Sequence, residues 1–342
     1  MTTVLATHER YVEHDLQGHP EHAGRIRAIW ERLKVSGLTE QMEQITPQMV
    51  TDEQILAVHT QRYLEAFNLV AHEQGMVRFD SDTYAFPESP EIARLSAGGV
   101  VAVVDAILND EANNGLALVR PPGHHAIPTR AMGFCLLGNI AIGAKHAINA
   151  HKLRHVMIVD FDVHHGNGTQ DMLYGDDNVL FISLHQYPFY PGSGGINETG
   201  KGRGRGFTLN IPLKNGHGDN NYARLFEEII WERAREFEPD IIMVSAGFDA
   251  HWIDPLASMN LSLTGYAHIT QQLIDMAEEF CDGKIAFVLE GGYDLQALSY
   301  GIANVAHALI NDGKIDDPLG TKNSSEPDIE PLIHQLKKLH KL

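Results

Sequence analysis

Short apolar runs rich in β-branched residues alternate along the chain with longer segments whose apolar residues recur every three or four positions. The runs predict buried strands, and the longer segments predict amphipathic helices. The predicted strands cover Leu116–Val119, Val156–Val159, Val179–Ser183, Ile241–Ser245 and Ile285–Leu289. Regular alternation of strand and helix is typical of a mainly parallel sheet with helices on both faces, and we predict this α/β architecture.

Two of the predicted helices have recognisable start signals. Thr51-Asp52-Glu53-Gln54 has the spacing of a capping box and opens a segment that runs to about Glu73. Ser89-Pro90-Glu91 opens a helix that runs through Ile107, with proline in its first turn. Further helices are predicted at Glu21–Val35, Asn139–His151, Tyr222–Phe237, Gly265–Phe280 and Leu295–Ile310. The glycine-rich stretch Gly192–Gly206 is predicted to be a long loop.

The length of the chain is compatible with one domain. It has 342 residues, of which 43% are hydrophobic, which is ample for a large buried core. Alternating α/β architectures commonly exceed 250 residues as one unit, so we predict a single domain over residues 1–342. Residues 320–342 read as a linker followed by a short amphipathic helical tail.

The charge balance narrows the range of partners. Lys and Arg number 26 against 45 for Asp and Glu, which gives a formal net charge of −19. Such a surface repels nucleic acid and anionic lipid, so we expect neither as a partner. The two cysteines, Cys135 and Cys281, form no disulfide framework, and a reducing cytoplasm fits them. We find no secretory signal pattern and no run of about 18 apolar residues that would predict a membrane span.

Chemically active side chains follow several of the predicted strands. His124 and His125 come after the first strand, Asp160, Asp162 and His164 after the second, Asp249 after the fourth and Tyr293 after the fifth. Ligands of open parallel sheets bind at the carboxyl ends of the strands. We therefore predict one site at this edge of the sheet.

Asp162, His164 and Asp249 form a candidate metal site. Asp162 and His164 are two residues apart, so in an extended chain they face the same way. Two carboxylates and one imidazole suit zinc or another first-row divalent ion, and three protein ligands leave a position for water and substrate, as in catalytic sites.

The tandem histidines and the tyrosine complete the predicted chemistry. His124 and His125 are candidates for general base and general acid, each needing a partner that fixes its second ring nitrogen. Asp160 and Asn167 are the candidate partners. Tyr293 follows a Gly-Gly turn, and its phenol could donate a hydrogen bond to an oxyanion.

These motifs together closely resemble the zinc-dependent histone deacetylase family, particularly its class II members and their bacterial amidohydrolase relatives. The resemblance spans about Gly18 to Asp294 and rests on motifs in the family's order. They are GHPEHAGRI (18–26), RPPGHHA (120–126), GFC (133–135), DFDVHHGNGTQ (160–170), SLHQYPFYPGSG (183–194), SAGFDAHWIDPL (245–256) and EGGYDL (290–295).

The resemblance implies a three-layer arginase/deacetylase α/β/α fold and assigns roles to the strand-end residues. Asp162, His164 and Asp249 stand where the family binds one zinc ion per chain. His124 and His125 match its tandem histidines, with Asp160 behind His124. Asn167 stands behind His125, where class I enzymes carry aspartate and class II and bacterial members carry asparagine. Tyr293 matches the tyrosine that polarises the carbonyl.

The resemblance also implies an acyl-lysine tunnel and a structural potassium site. Phe134 and Tyr190 match the aromatic walls, with Phe189 as the alternative to Tyr190, and Gly133 and Gly292 fall in the same substrate-binding motifs. Leu256 occupies a pocket position where an acetylpolyamine-specific relative carries glutamate. Asp82, or else Asp80, matches an acidic rim residue. The monovalent-cation positions are matched by Asp160, Asp162, His164, Ser183 and Leu184.

The resemblance favours hydrolysis of small-acyl amides, and the choice of substrate stays open between acetyl-lysine in peptides or proteins and acetylpolyamines. Two other functional hypotheses have weaker support from the sequence. A binuclear manganese ureohydrolase would need carboxylates where His165 and Asn167 stand, and a non-catalytic acyl-lysine binder would need neither Tyr293 nor the histidine pair. The oligomeric state is left open, since a homodimer and a tetramer are both compatible with the sequence.

Overall fold

The computed structural model describes residues 2–342, and its centre is one eight-stranded sheet in which every strand is parallel to its neighbours. The strands lie in the order β2-β1-β5-β10-β9-β6-β7-β8. Their bounds are β1 Thr3–Ala6, β2 Glu43–Ile45, β5 Asn114–Ala117, β6 Val156–Asp160, β7 Val179–Gln186, β8 Thr208–Leu213, β9 Ile241–Ala246 and β10 Ile285–Leu289. A separate two-stranded hairpin pairs β3 Val77–Arg78 with β4 Tyr84–Ala85.

Helices cover both faces of the sheet. They are α1 Gly24–Val35, α2 Asp52–Leu56, α3 Gln61–Leu69, α4 Ser89–Leu108, α5 Asn139–His151, α6 Asn167–Leu173, α7 Asp219–Leu225, α8 Trp231–Phe237, α9 Leu263–Cys281, α10 Leu295–Leu309 and α11 Glu330–His340. Successive side chains of β6 enter different hydrophobic clusters: Met157 packs with α1 and α7 to α11, whereas Ile158 packs with α3 to α6. This alternation is the period of two expected for a strand buried on both faces. The predicted α/β/α architecture is confirmed.

The predicted helix from Thr51 to Glu73 is wrong in one respect, because the structure divides it. Thr51 and Gln54 form the expected capping box, but α2 ends at Leu56. Thr60 then accepts a hydrogen bond from the backbone N–H of Tyr63 and begins α3. A second capping residue inside a periodic segment therefore restarted the helix, and the periodicity alone did not reveal the break.

The strands that the sequence did not predict are mostly edge or short strands. β2 has three residues and lies at one edge of the sheet, and β8 lies at the other. Pro212 interrupts the apolar pattern of β8, and proline is tolerated there because an edge strand has one unpaired side. Such strands depend on their neighbour more than on their own sequence.

The C-terminal segment ends in α11, and two of its residues, Ile333 and Leu336, are buried in the cluster that contains α7 to α10. The tail is therefore packed against the core. Within residues 2–342, none of the helices combines the length and the apolarity needed to cross a bilayer.

His59, in the turn between α2 and α3, should make stability depend on pH. Its side chain is buried, and its Nε2 accepts a hydrogen bond from the backbone N–H of Gly138 at 3.0 Å. Burial lowers the pKa of His59 to about 4. The unfolded chain therefore binds this proton first as the pH falls below about 6.5, and the free energy of unfolding should decrease by up to about 1.4 kcal/mol per pH unit for this residue.

Urea unfolding of wild type and His59→Gln across the range from neutral pH to about pH 4 measures this contribution, because the other buried histidines are common to both proteins. The variant should lose less stability on acidification than the wild type. His72→Gln, which changes an exposed histidine, is the matched control. Identical pH profiles for wild type and His59→Gln would contradict the assignment.

Candidate active site

The predicted strand-end residues converge at the carboxyl edge of the sheet. Asp160 is the last residue of β6, and Asp162 and His164 come two and four residues after it. Asp249 comes three residues after the end of β9, and Tyr293 comes four residues after the end of β10. Because β9 lies between β6 and β10, three adjacent strands deliver these side chains to one place.

Asp162, His164 and Asp249 lie close enough together to hold one ion. One ligand atom from each residue falls within 4.8 Å of the others, and all three residues are buried. Nδ1 of His164 lies 3.2 Å from Oδ1 of Asp162 and 3.1 Å from Oδ2 of Asp249. The backbone orients the carboxylates, since Asp162 accepts from the N–H of Gly291 and Asp249 accepts from the N–H of Val163.

The surroundings of these carboxylates fit a cation. Within residues 2–342, their ion-pair contacts are with His124 and His164 and with neither lysine nor arginine. Buried carboxylates are normally paired or bound to a metal. Gly291 makes room for them, because a Cβ there would stand 2.4 Å from Oδ2 of Asp249 and 2.5 Å from Oδ2 of Asp162. The donor set of two carboxylates and one imidazole suits a divalent first-row ion.

The tandem histidines lie beside this group with different partners. Nδ1 of His124 is 3.0 Å from Oδ2 of Asp160, and Nδ1 of His125 is 2.8 Å from Oδ1 of Asn167. The amide nitrogen of Asn167 faces the carbonyl of His125, so its oxygen is the acceptor for the ring. With Nδ1–H donated to the amide, Nε2 of His125 is left free to accept a proton.

The different surroundings of His124 and His125 give the two imidazoles different pKa values. Burial alone would lower the pKa of His124, but the carboxylates of Asp162 and Asp160 raise it well above the usual value. Burial lowers the pKa of His125 well below the usual value, and the positive charge of His124 lowers it further. At neutral pH the arrangement therefore favours a charged His124 beside a neutral His125.

Tyr293 is held by its backbone. Oδ2 of Asp254 accepts from the N–H of Tyr293 at 2.7 Å and from the N–H of Asp294 at 3.1 Å. Nε of Arg25 donates to the carbonyl of Gly292 at 2.7 Å, and the guanidinium carbon lies 5.0 Å from the centre of the Tyr293 ring. Burial raises the pKa of Tyr293 well above its usual range, so its phenol remains a hydrogen-bond donor.

His125, His164 and Tyr293 face an apolar cavity of about 240 Å³. Its lining contains Asp82, His125, Gly133, Phe134, His164, Phe189, Tyr190, Leu256 and Tyr293. Both candidates for the second aromatic wall are present: the Tyr190 ring meets that of His125 edge-on at 5.2 Å, and the Phe189 ring stacks on His164 at 5.5 Å. Phe134 packs edge-on against Tyr293 at 5.8 Å.

The remaining predicted residues lie around this cavity in different ways. Asp82 lines it, whereas the side chain of Asp80 turns back to accept from the backbone N–H groups of Asp82 and Thr83. Gly292 is not among the lining residues, and its carbonyl is occupied by Arg25. Gly133 approaches the ring of His125 so closely that a Cβ would stand 2.5 Å from Cδ2.

The predicted monovalent-cation residues lie side by side behind the site. Asp160 of β6 and Ser183 of β7 are register partners, and Leu184 follows Ser183 on the same strand. The N–H of Asp162 donates to Oδ1 of Asp160, and the N–H of His164 donates to Oδ1 of Asp162. The hydroxyl of Ser183 is engaged with Nδ1 of His185 at 3.0 Å.

Several supporting residues were missed by sequence reasoning although their motifs were quoted. Glu290 accepts from the N–H groups of Gly123 and His124, at 2.7 and 3.1 Å, and so fixes the start of the histidine pair. Asp254 and Arg25 fix the Tyr293 loop. Their position inside the motifs that begin at Gly18, Ser245 and Glu290 was the available signal. Local spacing could not reveal which backbone groups they would reach.

Known proteins match this chain over most of its length. Residues 19–309 match the histone deacetylase domain family. The chain is 40% identical over 304 residues to the histone deacetylase-like amidohydrolase of Pseudomonas aeruginosa, covering 88% of this chain and 80% of the relative. It is 38% identical over 347 residues to the chloroplastic histone deacetylase 14 of Arabidopsis thaliana, covering 96% of this chain and 82% of that protein.

A probable deacetylase of Archaeoglobus fulgidus is 40% identical over 305 residues, with coverage of 88% and 84%. Among solved structures, that of the HDA15 HD domain superposes with a TM-score of 0.91 at 35% identity, over 99% of this chain and 94% of the other. The predicted fold and the predicted family resemblance are both confirmed. The chain belongs to the histone deacetylase family of hydrolytic enzymes.

Proposed function

We propose that the protein hydrolyses N-acetyl and other small-acyl amides in a zinc-dependent reaction, releasing acetate from acetyl-lysine in peptides or proteins. The convergence of Asp162, His164 and Asp249 with the histidine pair and Tyr293 carries this proposal, since His125, His164 and Tyr293 line one apolar cavity. The family membership supports deacetylation as the reaction class.

Asp162, His164 and Asp249 would hold the zinc ion, and the fit rests on their burial, their mutual distances and the absence of a lysine or arginine partner in residues 2–342. Bound there, zinc supplies a Lewis acid that polarises the acyl carbonyl and lowers the pKa of water.

The histidine pair would provide general base and general acid catalysis. Nε2 of His125, neutral and oriented by Asn167, accepts a proton from the attacking water. His124, which the carboxylate of Asp160 keeps basic, stabilises the charge that develops beside it. Protonated His125 then gives its proton to the departing amine, so that a free amine leaves rather than its anion.

Tyr293 would stabilise the tetrahedral oxyanion. Its phenol donates a hydrogen bond whose strength is increased by the apolar cavity walls. Asp254 and Arg25 hold the loop in place before substrate arrives, so little reorganisation is needed during the reaction.

The cavity favours an extended aliphatic chain. Phe134 and Tyr190 would flank the methylene groups of lysine, and Leu256 adds an apolar surface. Asp82 would accept a hydrogen bond from the backbone of a bound peptide at the rim. We further propose a structural potassium ion at Asp160, Asp162, His164, Ser183 and Leu184, which the family resemblance suggests.

Specific contacts in the structure argue against the two weaker alternative functions. His165, which a binuclear manganese site would need as a carboxylate, is engaged with Ser193 at 2.9 Å and Gln170 at 3.0 Å. Asn167, the second position, is engaged with His125. A non-catalytic binder would not need Tyr293 on a loop that Asp254 and Arg25 hold in place. The acetyl-lysine reading therefore remains the better supported one.

Removal of the metal is the direct test. Purified protein should release acetate from a fluorogenic acetyl-lysine peptide, should lose that activity after treatment with a chelator, and should regain it when one Zn²⁺ per chain is restored to Asp162, His164 and Asp249. Turnover that survives chelation, or recovery only with two equivalents of Mn²⁺, would overturn the proposal. Peptide binding without turnover at any metal content would identify a reader.

The substrate class is tested by competing acetylated amines. An acetylpolyamine-specific enzyme is the main alternative, and Leu256 argues against it because this position offers no carboxylate to a cationic chain. We expect a higher kcat/KM for an acetyl-lysine peptide than for acetylputrescine, acetylspermidine or acetylcadaverine. Leu256→Glu should shift the ratio toward the polyamines by about tenfold, equivalent to one favourable charge contact. The reverse preference in the wild type would favour the alternative.

A further inference from the structure

A second cluster of metal-binding side chains lies at the opposite edge of the sheet from the cavity. It consists of Asp105 on α4 and of His146 and His151 on α5. α4 ends just before β5 begins and α5 ends just before β6 begins, so the cluster stands by the amino ends of the strands. The reacting residues described above stand at the carboxyl ends.

The three side chains converge on one point. Nε2 of His146 lies 2.7 Å from Oδ1 of Asp105, and Nε2 of His151 lies 2.6 Å from the same oxygen. One ligand atom of each residue lies within 4.8 Å of the others, and the imidazole rings meet edge-on at 5.6 Å. Two helices that pack along their lengths hold this arrangement, so the ligands are positioned before any ion binds.

The three side chains are partly exposed to solvent, which suits a metal ion that keeps some of its bound water. The histidine side chains are 15% and 17% exposed and that of Asp105 is 39% exposed. Within the described part of the chain, the ion-pair contacts of Asp105 are these two histidines, so no lysine or arginine competes for the carboxylate. Imidazole and carboxylate donors together suit zinc, nickel and copper better than magnesium or calcium.

We propose that Asp105, His146 and His151 form a second divalent-metal site, for Zn²⁺ or Ni²⁺, which ties α4 to α5. In the metal-free state the two Nε2–H groups donate to the carboxylate. Metal binding replaces these hydrogen bonds, and each imidazole keeps one proton by carrying it on Nδ1. The ion then bridges the two helices through three protein ligands, and water completes its coordination.

One neighbouring contact should affect the metal affinity of this site. Nε2 of Gln54 lies 3.2 Å from Nδ1 of His146, while Oε1 of Gln54 accepts from the N–H of Thr51 in the capping box. A metal-bound His146 would carry its proton on Nδ1 and would face a donor there. Gln54→Glu replaces that donor with an acceptor and retains the capping box, so it should tighten metal binding by about tenfold.

Metal counting separates this site from the cavity. Asp249→Asn protein, stripped with chelator and dialysed against Zn²⁺ or Ni²⁺, should still bind one ion per chain, and wild type should bind two. His146→Gln and His151→Gln should each weaken the remaining site by at least about tenfold, and His72→Gln should not. In ring-nitrogen NMR spectra, the Nε2 resonances of His146 and His151 should shift on Zn²⁺ addition.

The metal-uptake measurements test the second site independently of any loss of acetyl-lysine turnover. If Asp249→Asn protein takes up no ion, or if its uptake is unchanged by His146→Gln and His151→Gln, the second site does not exist. Loss of acetyl-lysine turnover in Asp249→Asn bears only on the cavity. Thermal unfolding without metal checks that each histidine variant folds, and Gln54→Glu tests the site by a gain in affinity rather than by a loss.

Discussion

Replacing Tyr293 with phenylalanine should lower kcat on an acetyl-lysine peptide by about 10²- to 10³-fold while leaving KM nearly unchanged. The phenol is the only group that this change removes, and its proposed contact exists mainly in the transition state. The loop itself is fixed through backbone groups, by Asp254 and Arg25, so the ring should keep its place. The loss should therefore be chemical rather than structural.

Steady-state kinetics on Tyr293→Phe, Tyr190→Phe and wild type would make this comparison. Tyr190 also lines the cavity but stands at its wall, so loss of its hydroxyl should change kcat by less than the Tyr293 variant does. Zinc content measured on the same samples should equal that of the wild type if the substitutions leave metal binding unchanged. Equal effects of the two substitutions, or a change confined to KM, would refute the oxyanion role.

Replacing Glu21 with glutamine should destabilise the protein by about 3–5 kcal/mol, because it leaves two buried guanidinium groups without a counter-charge. Oε1 of Glu21 lies 2.5 Å from Nε of Arg120 and 3.1 Å from Nη1 of Arg25, and all three side chains are fully buried. Burial alone would raise the pKa of Glu21, but Arg120 and Arg25 lower it to about 2. Its stabilising contribution is thus complete above the unfolded pKa of about 4.5 and is lost as the pH falls toward 2.

Urea unfolding at neutral pH measures the loss, and repetition at about pH 3 should show a smaller difference between Glu21→Gln and wild type. Glu91→Gln is the matched control, since Glu91 pairs with Arg10 at the surface and is 56% exposed. That substitution should cost about 1 kcal/mol or less. A neutral-pH loss for Glu21→Gln no larger than that of the control would contradict the buried-network argument.

Where the signals were local, the pattern along the chain predicted the sheet and the placement of polar residues at its strand ends. Each of the five predicted strands is present, and the segments ending at Asp160, Ala246 and Leu289 place their polar residues as expected. Asp160 faces His124 and Asn167 faces His125, as the family resemblance implied. Strand ends in a parallel sheet are a topological constraint, so sequence order was sufficient to bring these groups together.

Long-range polar contacts were not predictable in the same way. Arg25 reaches Gly292, which lies 267 residues away along the chain, and Glu21 reaches Arg120 at a separation of 99 residues. A buried arginine–glutamate network has no local periodicity, because its members come from separate segments: Glu21 precedes α1, Arg25 lies on α1 and Arg120 follows β5. The edge strands β2 and β8 escaped prediction for a related reason, since their partners define them more than their own residues do.

The cavity walls and the proposed metal ligands belong to different parts of the fold. Asp162 and Asp249 are fixed by N–H groups at the ends of the central strands. Phe134, Tyr190 and Leu256 stand on connecting segments outside the strands and helices. Catalytic power and substrate range are therefore separable traits of this chain. Libraries of variants confined to those connecting segments could change which acyl amide is accepted. The residues proposed to carry out hydrolysis would stay unchanged.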